Sequence, residues 1–449
     1  MTNTAPSLMG KIKQFIQLTI PIIITQFALT GGSFFSVVMT GQYSTTDVAG
    51  ISVGFNIWIA CYYGVLGILL GIAPIIAQLL GAHKTEDIPT VIIHGVWLAL
   101  FFSALLIFSG LIFLKPLLHY LALEPAAYEI CLQYMTAIAF ALPPLILTCT
   151  LRNTVDCHGY TRYSMIIMSI GLLIHVTLNY ALILGHFGCP ALGGLGAGIA
   201  TAIAYWFNCL AYLGVLLYKK PFSHYQISKQ SFKIHWTPLR EQLRIGIPIG
   251  IAVFCESSIF SLAGLAITYY GTQVIAAHQA AISFVNLFYG IPLSISMAST
   301  IVVGYQIGAK HYKEATHMSY IARGTAITIA ALMSIIIFTN LPLFASFYTN
   351  DPDMVNIIAS FMSYAAFFII IDAFGTPVQG ILRAYKDVAI ISKIAIATYW
   401  GACIPIALGF MYLTDLGPYS VWLGLLGGVG LAGVLYIWRV MYLQSKRFQ

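Results

Sequence analysis

Two acidic residues lie deep inside apolar stretches of the sequence. Glu256 follows Arg244 by 12 residues, and Asp372 precedes Arg383 by 11 residues. At about 1.5 Å per helical residue, each acid lies roughly 17 to 18 Å from the arginine that marks its helix end. That is membrane-centre depth for a hydrocarbon core of about 30 Å. A charge there costs on the order of 2.5 kcal/mol or more, so such residues usually face a cavity and mark an ion or substrate path.

This pair of acids predicts a cation site. The other twelve of the fourteen acids fall at helix ends or in connections. Two facing carboxylates in a low dielectric ionise together only when a cation lies between them; otherwise one holds a proton. Carboxylate and hydroxyl oxygens suit a hard cation such as Na⁺. Glu256 and Asp372 are therefore candidate ligands of Na⁺ or carriers of H⁺, and we expect no other cofactor. The alternative is that each acid only bonds a neighbouring helix, which contributes about 0.6 kcal/mol.

Four further residues of the second half are candidates by type and position. His278 lies early in the eighth predicted span, where a gating or ion-binding role competes with ordinary packing. Pro377 follows Asp372 by five residues and frees a backbone carbonyl, so a bend there would move the acid, although a static kink is equally consistent. Phe284 and Tyr289 belong to an aromatic group that could contact a cationic substrate or simply fill the core.

One pair in the first half also has polar chemistry. His175 and Asn179 are four residues apart, so they share a face of the fifth predicted helix. We expect either a titratable face lining a cavity or a simple hydrogen bond between helices.

Composition defines the elements that must hold these residues. The 449 residues are 59% hydrophobic and only 8% charged, whereas about 25% of a soluble globular protein is charged. The sequence is therefore that of a polytopic membrane protein in a lipid bilayer. Its net charge of +7 does not predict a nucleic-acid partner, because the basic residues fall where they would orient the chain. The eight cysteines form no CxxC pair and predict neither disulfides nor a metal centre.

Twelve apolar segments are long enough to cross a bilayer. If both termini are cytoplasmic, 20 of the 21 basic residues fall on the inside and only Lys115 falls outside, as the positive-inside rule requires. The predicted fold is thus an all-α integral membrane protein with twelve transmembrane helices in two pseudo-symmetric six-helix lobes. The segments cover residues 15–40, 50–79, 90–114, 128–150, 163–186, 193–218, 245–269, 273–307, 317–344, 353–382, 390–413 and 418–440.

The two halves of the chain repeat. LTIPIII around Pro21 matches IGIPIGI around Pro248 at an offset of 227 residues, and LRNTVD at 151–156 matches LRAYKD at 382–387 at an offset of 231. We predict an N-lobe at 1–218, a cytoplasmic connecting loop at 219–243 and a C-lobe at 244–449, related as parallel repeats with the substrate bound between them. The repeat equivalents of Glu256 and Asp372 are Leu29 and Ala141, so the acid pair belongs to the second half alone.

The sequence resembles the multidrug and toxic compound extrusion family, in its NorM branch. The resemblance covers essentially the whole chain and rests on several motifs taken together. It implies export of cationic and amphipathic compounds in exchange for Na⁺ or H⁺ by rocking of the two lobes. The motifs are TIPIIITQ, APIIAQLLGA at 73–82, LRNTVD at 151–156, GGLGAGIAT at 193–201, FCESSIF at 254–260, AAHQAAISF at 276–284 and LRAYKD at 382–387.

The resemblance also implies site residues. Family members bind the cation at a Glu in the seventh helix and an Asp in the tenth, which match Glu256 and Asp372. Gln279 and Asp351 match positions implicated in substrate contact. Many relatives carry an Asp late in the first helix, where this chain has Ser36.

The same resemblance places two asparagines in the fifth helix of relatives, where this chain has His175 and Asn179. An N-lobe proton site would thus require His175 to substitute for the first-helix Asp. We expect a bacterial cytoplasmic-membrane location, small cationic molecules as partners and a monomer.

Two other classes of protein compete with this interpretation. A lipid-linked oligosaccharide flippase of the same superfamily would share the lobes, but it would need a basic cavity for an anionic headgroup. An intramembrane enzyme would need a motif such as GxGD, whereas the residues around Asp372 read IIIDAFG. We therefore predict a transporter and not an enzyme.

Overall fold

The computed structural model of the protein describes residues 7–121, 123–227, 233–349 and 351–447. In this part of the chain the regular structure is helical, with no strand. The helices are α1 (Leu8–Tyr43), α2 (Thr45–Leu69), α3 (Ile72–Gly81), α4 (Ile88–Tyr120), α5 (Pro125–Cys157), α6 (Thr161–Leu184), α7 (Gly193–Tyr218), α8 (Trp236–Ile267), α9 (Thr272–Gly308), α10 (Tyr312–Thr339), α11 (Leu341–Ser346), α12 (Pro352–Ala384), α13 (Val388–Ala395), α14 (Cys403–Leu413) and α15 (Tyr419–Arg447).

These helices supply twelve segments that are long and apolar enough to cross a membrane. α2 continues into α3 as one segment, and a π turn at Ile396–Trp400 joins α13 to α14, whereas α11 has only six residues. The predicted all-α fold with twelve spans is confirmed. Several helices extend past the predicted apolar segments, because a helix continues beyond the hydrocarbon region into its polar flanks. α4 illustrates the apolar exterior: Phe108, Leu111 and Phe113 are all exposed on it.

Contacts divide the chain into two compact units. The first unit contains residues 20–79 and 84–250, and the described part of the second contains residues 7–19, 80–83 and 251–447. The predicted lobe limits at 218 and 244 stay a prediction about the organisation of the sequence. α8 begins at Trp236, inside the predicted connecting loop 219–243, because Pro238 in its first turn suits a helix start.

The first unit is organised around α5, which packs along α7 and α2. Its apolar cores include Trp58, Tyr134 and Ile146 on one side and Tyr212 with Phe222 on another. Phe222 belongs to a short turn, Phe222–Tyr225, in the segment after α7. Tyr225 donates a hydrogen bond to Nε2 of His158 (2.7 Å), whose Nδ1 contacts the Thr154 carbonyl (2.7 Å). The connecting segment is thus fastened to this unit.

The second unit is organised around α12, which packs along α9 and α15. Gly380 makes the α9–α12 approach possible, because a side chain there would collide with the Ser296 carbonyl. Thr300 in α9 donates to the Gly380 carbonyl at 2.9 Å and reinforces the contact. This close approach sets the positions of the polar side chains that α9 and α12 carry.

Candidate functional site

Glu256 lies in the middle of α8 and is half-buried. Tyr289 of α9 donates its hydroxyl to Glu256 Oε1 at 2.8 Å. Tyr289, predicted as one of an aromatic group that could contact a cationic substrate, thus has its hydroxyl directed at Glu256. Gln379 of α12 makes a second side-chain hydrogen bond to Glu256. Three helices therefore hold one carboxylate.

Asp372 lies in the interior of α12 and is only 4% exposed. Thr376, one turn later, donates to Asp372 Oδ1 at 2.6 Å, so the local helix satisfies one carboxylate oxygen. Glu256 and Asp372 are close enough to interact electrostatically. The structure thus brings together the two acids that the sequence analysis selected as a pair.

A buried arginine completes this group. Arg383, also on α12, is 5% exposed and interacts electrostatically with Glu256. Its guanidinium donates to Ser296 Oγ at 2.6 Å, and Ser296 donates to the Thr376 carbonyl at 2.6 Å. In the sequence, Arg383 served only as the marker of a helix end, and Gln379 was not predicted as a site residue. Their signal was spacing: residues 372, 376, 379 and 383 recur every three or four positions and so share one helix face.

The charges of this cluster favour one monovalent cation. With both acids ionised and Arg383 positive, the three groups sum to a net charge of −1. A proton or a Na⁺ would neutralise that charge, and the carboxylate and hydroxyl oxygens are hard ligands of the kind Na⁺ takes. Among the described residues, no group of three or more His, Cys, Asp or Glu side chains could hold a metal ion.

The first unit holds a second polar cluster. Ser36 on α1 accepts from Asn179 Nδ2 at 2.9 Å, and His175 Nε2 lies 3.1 Å from Thr201 Oγ1 and 3.4 Å from Ser36 Oγ. The Thr201 hydroxyl donates its hydrogen to the Ala197 carbonyl (2.8 Å), so it can only accept from His175. We therefore assign the Nε2–H tautomer to neutral His175, which leaves Nδ1 as an acceptor. The three N-lobe candidates thus form one hydrogen-bonded group.

This neutral cluster borders a cavity of about 170 Å³. The Oδ1 atoms of Asn179 and Asn208 are buried and have no hydrogen-bond partner in the described part of the chain. None of the described residues that line the cavity is acidic. Its polar lining residues include Ser33, Ser36, Ser52, Asn56, His175, Thr201 and Asn208, and its aromatic ones are Phe55, Trp58, Tyr134 and Tyr205.

The remaining predicted residues lie apart from these hydrogen-bonded clusters. His278 is buried, and its Nδ1 accepts from Trp422 at 3.2 Å. Phe284 is buried against Phe288 and Phe344. Pro377 lies inside α12, next to Thr376, and the helix continues through it.

The two residues carried over for substrate contact are both exposed. Gln279 is on α9, and Asp351 caps α12 by accepting from the Asp353 amide at 3.2 Å. The cap gives Asp351 a structural role that needs no substrate.

The first unit also has an equivalent of Arg383. Arg152 on α5 matches it in the repeated LR motif and is likewise 5% exposed. Arg152 donates to Gln26 Oε1 at 3.2 Å and interacts electrostatically with Asp156, one turn later on α5. The repeat thus keeps the arginine and changes what it faces.

Comparison with known proteins identifies relatives along the whole chain. A protein 39% identical over 440 residues, from Oceanobacillus iheyensis, is called "Probable multidrug resistance protein NorM"; the match covers 98% of both chains. Proteins of the same name from Bacillus anthracis and Bacillus subtilis are 40% and 38% identical over 97% and 98% of this chain, and the matches cover 96% and 97% of their own lengths.

Solved structures share the fold at lower identity. An outward-facing multidrug resistance MATE family transporter superimposes with a TM-score of 0.89 at 19% identity, over 98% of this chain and 97% of that one. A eukaryotic MATE transporter gives a TM-score of 0.83 at 18% identity, over 98% of both chains. The MatE family model matches residues 21–181 and again 248–408, at the 227-residue offset of the repeated prolines. These matches span more than half of the sequence, and the chain belongs to the MatE family.

Proposed function

We propose that the protein is a secondary active multidrug efflux antiporter that exports cationic and amphipathic compounds in exchange for Na⁺ or H⁺. The observation that carries the proposal is the group formed by half-buried Glu256 with buried Asp372 and Arg383, whose net charge calls for one small cation. The relatives named as multidrug resistance proteins support the substrate class. Substrate-side roles for Gln279, Asp351, Phe284 and Tyr289 belong to the same proposal.

Coupling follows from exclusion at the acid pair. A cation on Glu256 and Asp372 removes the negative charge that attracts a cationic substrate. A substrate bound near that charge disfavours the cation by the same free energy, because linkage is reciprocal. Each ligand then biases the equilibrium between two conformations of the transporter. Gating at His278 and bending at Pro377 are the proposed moving parts, and His175 with Ser36 and Asn179 is the proposed second titratable site, which contributes less to coupling than the acid pair.

The proposed setting is the bacterial cytoplasmic membrane, with both termini inside and the protein as a monomer. The distribution of basic residues supports the orientation. The relatives support transport over the intramembrane enzyme and do not favour the lipid-linked oligosaccharide flippase.

Proteoliposomes test both the activity and the coupling ion. Purified protein is reconstituted with a fluorescent organic cation, and its movement against its gradient is followed under separately imposed Na⁺ and H⁺ gradients. We expect one of the two gradients to drive transport of the fluorescent cation by the wild type. Neither gradient should drive it in the Glu256→Gln variant. A response to pH without a response to Na⁺ identifies the proton as the coupling ion. Equal transport by wild type and Glu256→Gln would refute the ion site, and no gradient-driven transport would refute the antiporter.

A further inference from the structure

The last turns of α15 carry a side-chain cluster that transport does not use. Trp438 stacks on Tyr442 with ring centroids 6.1 Å apart and planes 21° apart. The same Tyr442 ring carries two cations: the Arg439 guanidinium carbon lies 5.3 Å and Lys446 Nζ lies 4.8 Å from its centroid. One exposed aromatic ring thus lies within the range of cation–π attraction of two positive charges.

The cluster is fixed to the protein on one side. Arg439 Nε donates to Asp387, just before α13, at 2.6 Å, and Tyr436 donates to the Ile391 carbonyl in α13 at 3.2 Å. Lys446, in contrast, makes no ion pair with any residue that the structure describes. Arg439, Lys446 and Asp387 together carry a net charge of +1, so the position favours an added anion.

The residues along this helix face change character in a fixed order. Val434 is 64% exposed and Trp438 60% exposed, and Tyr442 and Lys446 follow at four-residue intervals on the same face. Aliphatic, then aromatic, then basic side chains match a lipid from its acyl chain to its headgroup, with the aromatic residues at the interface.

We propose that this surface, Trp438–Arg439–Tyr442–Lys446, binds the headgroup phosphate of an anionic phospholipid in the leaflet nearest the C-terminus. The acyl chain would lie along Val434 and Trp438, and the phosphate would contact Lys446 and Arg439. A zwitterionic lipid fits less well, because its ammonium group would be repelled by the same two cations. The proposal is independent of the transport function.

Lipid titration tests the site without a transport assay. Detergent-solubilised protein is titrated with phosphatidylglycerol or phosphatidylcholine, and bound lipids are counted by native mass spectrometry. We expect phosphatidylglycerol to bind at least about fivefold more tightly, since each basic residue near a membrane surface contributes about that factor. Lys446→Gln should lower the affinity for phosphatidylglycerol about fivefold. Tyr442→Leu should also lower this affinity, because it removes the aromatic ring that both cations contact.

Lys219→Gln is the matched control. Lys219 follows the exposed Tyr218 at the end of α7. Neither residue makes a cation–π contact within the part of the chain that the structure describes. The affinity of the Lys219→Gln variant for phosphatidylglycerol should equal that of the wild type. Thermal melting without added lipid checks that the exposed substitutions leave the fold intact.

Two further measurements locate the site and its source. Brominated phosphatidylglycerol should quench tryptophan fluorescence less in Trp438→Phe than in wild type. Inorganic phosphate at millimolar concentration should not displace the lipid, and displacement would assign the site to free phosphate instead. Equal affinity for the two lipids, or an equal loss in Lys219→Gln and Lys446→Gln, would overturn the proposal.

Discussion

Each unit holds a polar cluster, but the two clusters differ in the helices that carry them and in their chemistry. In the second unit, α8 and α12 bring the acids Glu256 and Asp372 together with Arg383. In the first unit, α1 carries Ser36 in a group of neutral side chains, and the positions that match the acids are Leu29 and Ala141. The acid pair thus belongs to the second unit, and the matching positions of the first unit carry no charge.

The two buried arginines explain how that charge is managed. Arg152 has an acid one turn away on its own helix, Asp156, and a neutral hydrogen-bond partner in Gln26. The equivalent acid in the second unit, Asp387, is bound instead by Arg439 at 2.6 Å. Arg383 is thereby left to interact with Glu256. An arginine that interacts with an acid of its own helix in one unit thus interacts with an acid of another helix in the other unit.

Neutralising the acids should give the largest difference between the units. We expect Glu256→Gln or Asp372→Asn to lower cation-coupled efflux by about 100-fold, because each removes charge-assisted contacts worth up to about 3 kcal/mol. Asn179→Ala in the first unit should retain most of the activity. The measurement is efflux from proteoliposomes at matched protein content. Equal losses in the two units would mean that the site is not confined to the second.

Removing either arginine should destabilise the protein by about 3 kcal/mol, because each substitution leaves a buried acid uncompensated. A different second substitution should restore the stability of each variant. Glu256→Gln should restore that of Arg383→Gln, and Asp156→Asn should restore that of Arg152→Gln. Denaturation of the double and single variants measures the coupling. Rescue of Arg383→Gln by Asp387→Asn, and not by Glu256→Gln, would contradict the assigned partner.

Acid should destabilise the first unit through His158. Burial lowers the pKa of His158 to about 4 from its ordinary value of 6.5, so the unfolded chain takes up the proton first. The stabilising contribution is complete above pH 6.5 and is lost between pH 6.5 and 4. The loss reaches about 2 kcal/mol at pH 5.

His158→Gln should remove that part of the pH dependence in thermal melting between pH 7 and 5. The second unit has Ala389 at the matching position, so Ala389→Ser serves as a control with an unchanged pH dependence. An identical pH dependence in His158→Gln and wild type would show that His158 is not the titrating group.

Tyr289→Phe should have a smaller effect. It deletes the hydroxyl that donates to Glu256 at 2.8 Å and keeps the ring. We expect the cation concentration for half-maximal efflux to rise about tenfold, since a hydrogen bond to a charged group contributes roughly 1.5 kcal/mol. Val285→Ala, at a buried position of the same helix, should leave this concentration unchanged, and a shift of equal size there would assign the effect to packing.

His175→Gln should have the smallest effect. The hydrogen-bond partners of the His175 ring are hydroxyl groups. Hydrogen bonds between membrane helices contribute about 0.6 kcal/mol on average. We expect a slightly lower melting temperature and coupled efflux close to that of the wild type. A loss as large as that in Glu256→Gln would instead make His175 the proton carrier of the first unit and remove the asymmetry between the units.

Much of the fold was predictable because the membrane imposes simple rules. Segment length, hydropathy and the placement of basic residues predicted twelve spans, and Glu256 and Asp372 were conspicuous because ionisable groups are rare at that depth. The partners were less predictable. Arg383 resembled an ordinary helix-end arginine, and Tyr289 one aromatic residue among many.

The sequence by itself determined the number of spans, the internal repeat and the presence of two acids at membrane-centre depth, since these follow from residue type and position along the chain. Only the tertiary structure decided which side chains meet. α9 approaches α12 at Gly380 and so places Tyr289, Ser296 and Arg383 around the acids. Contacts between distant segments depend on helix rotation and close packing, and neither is encoded in any single stretch of sequence.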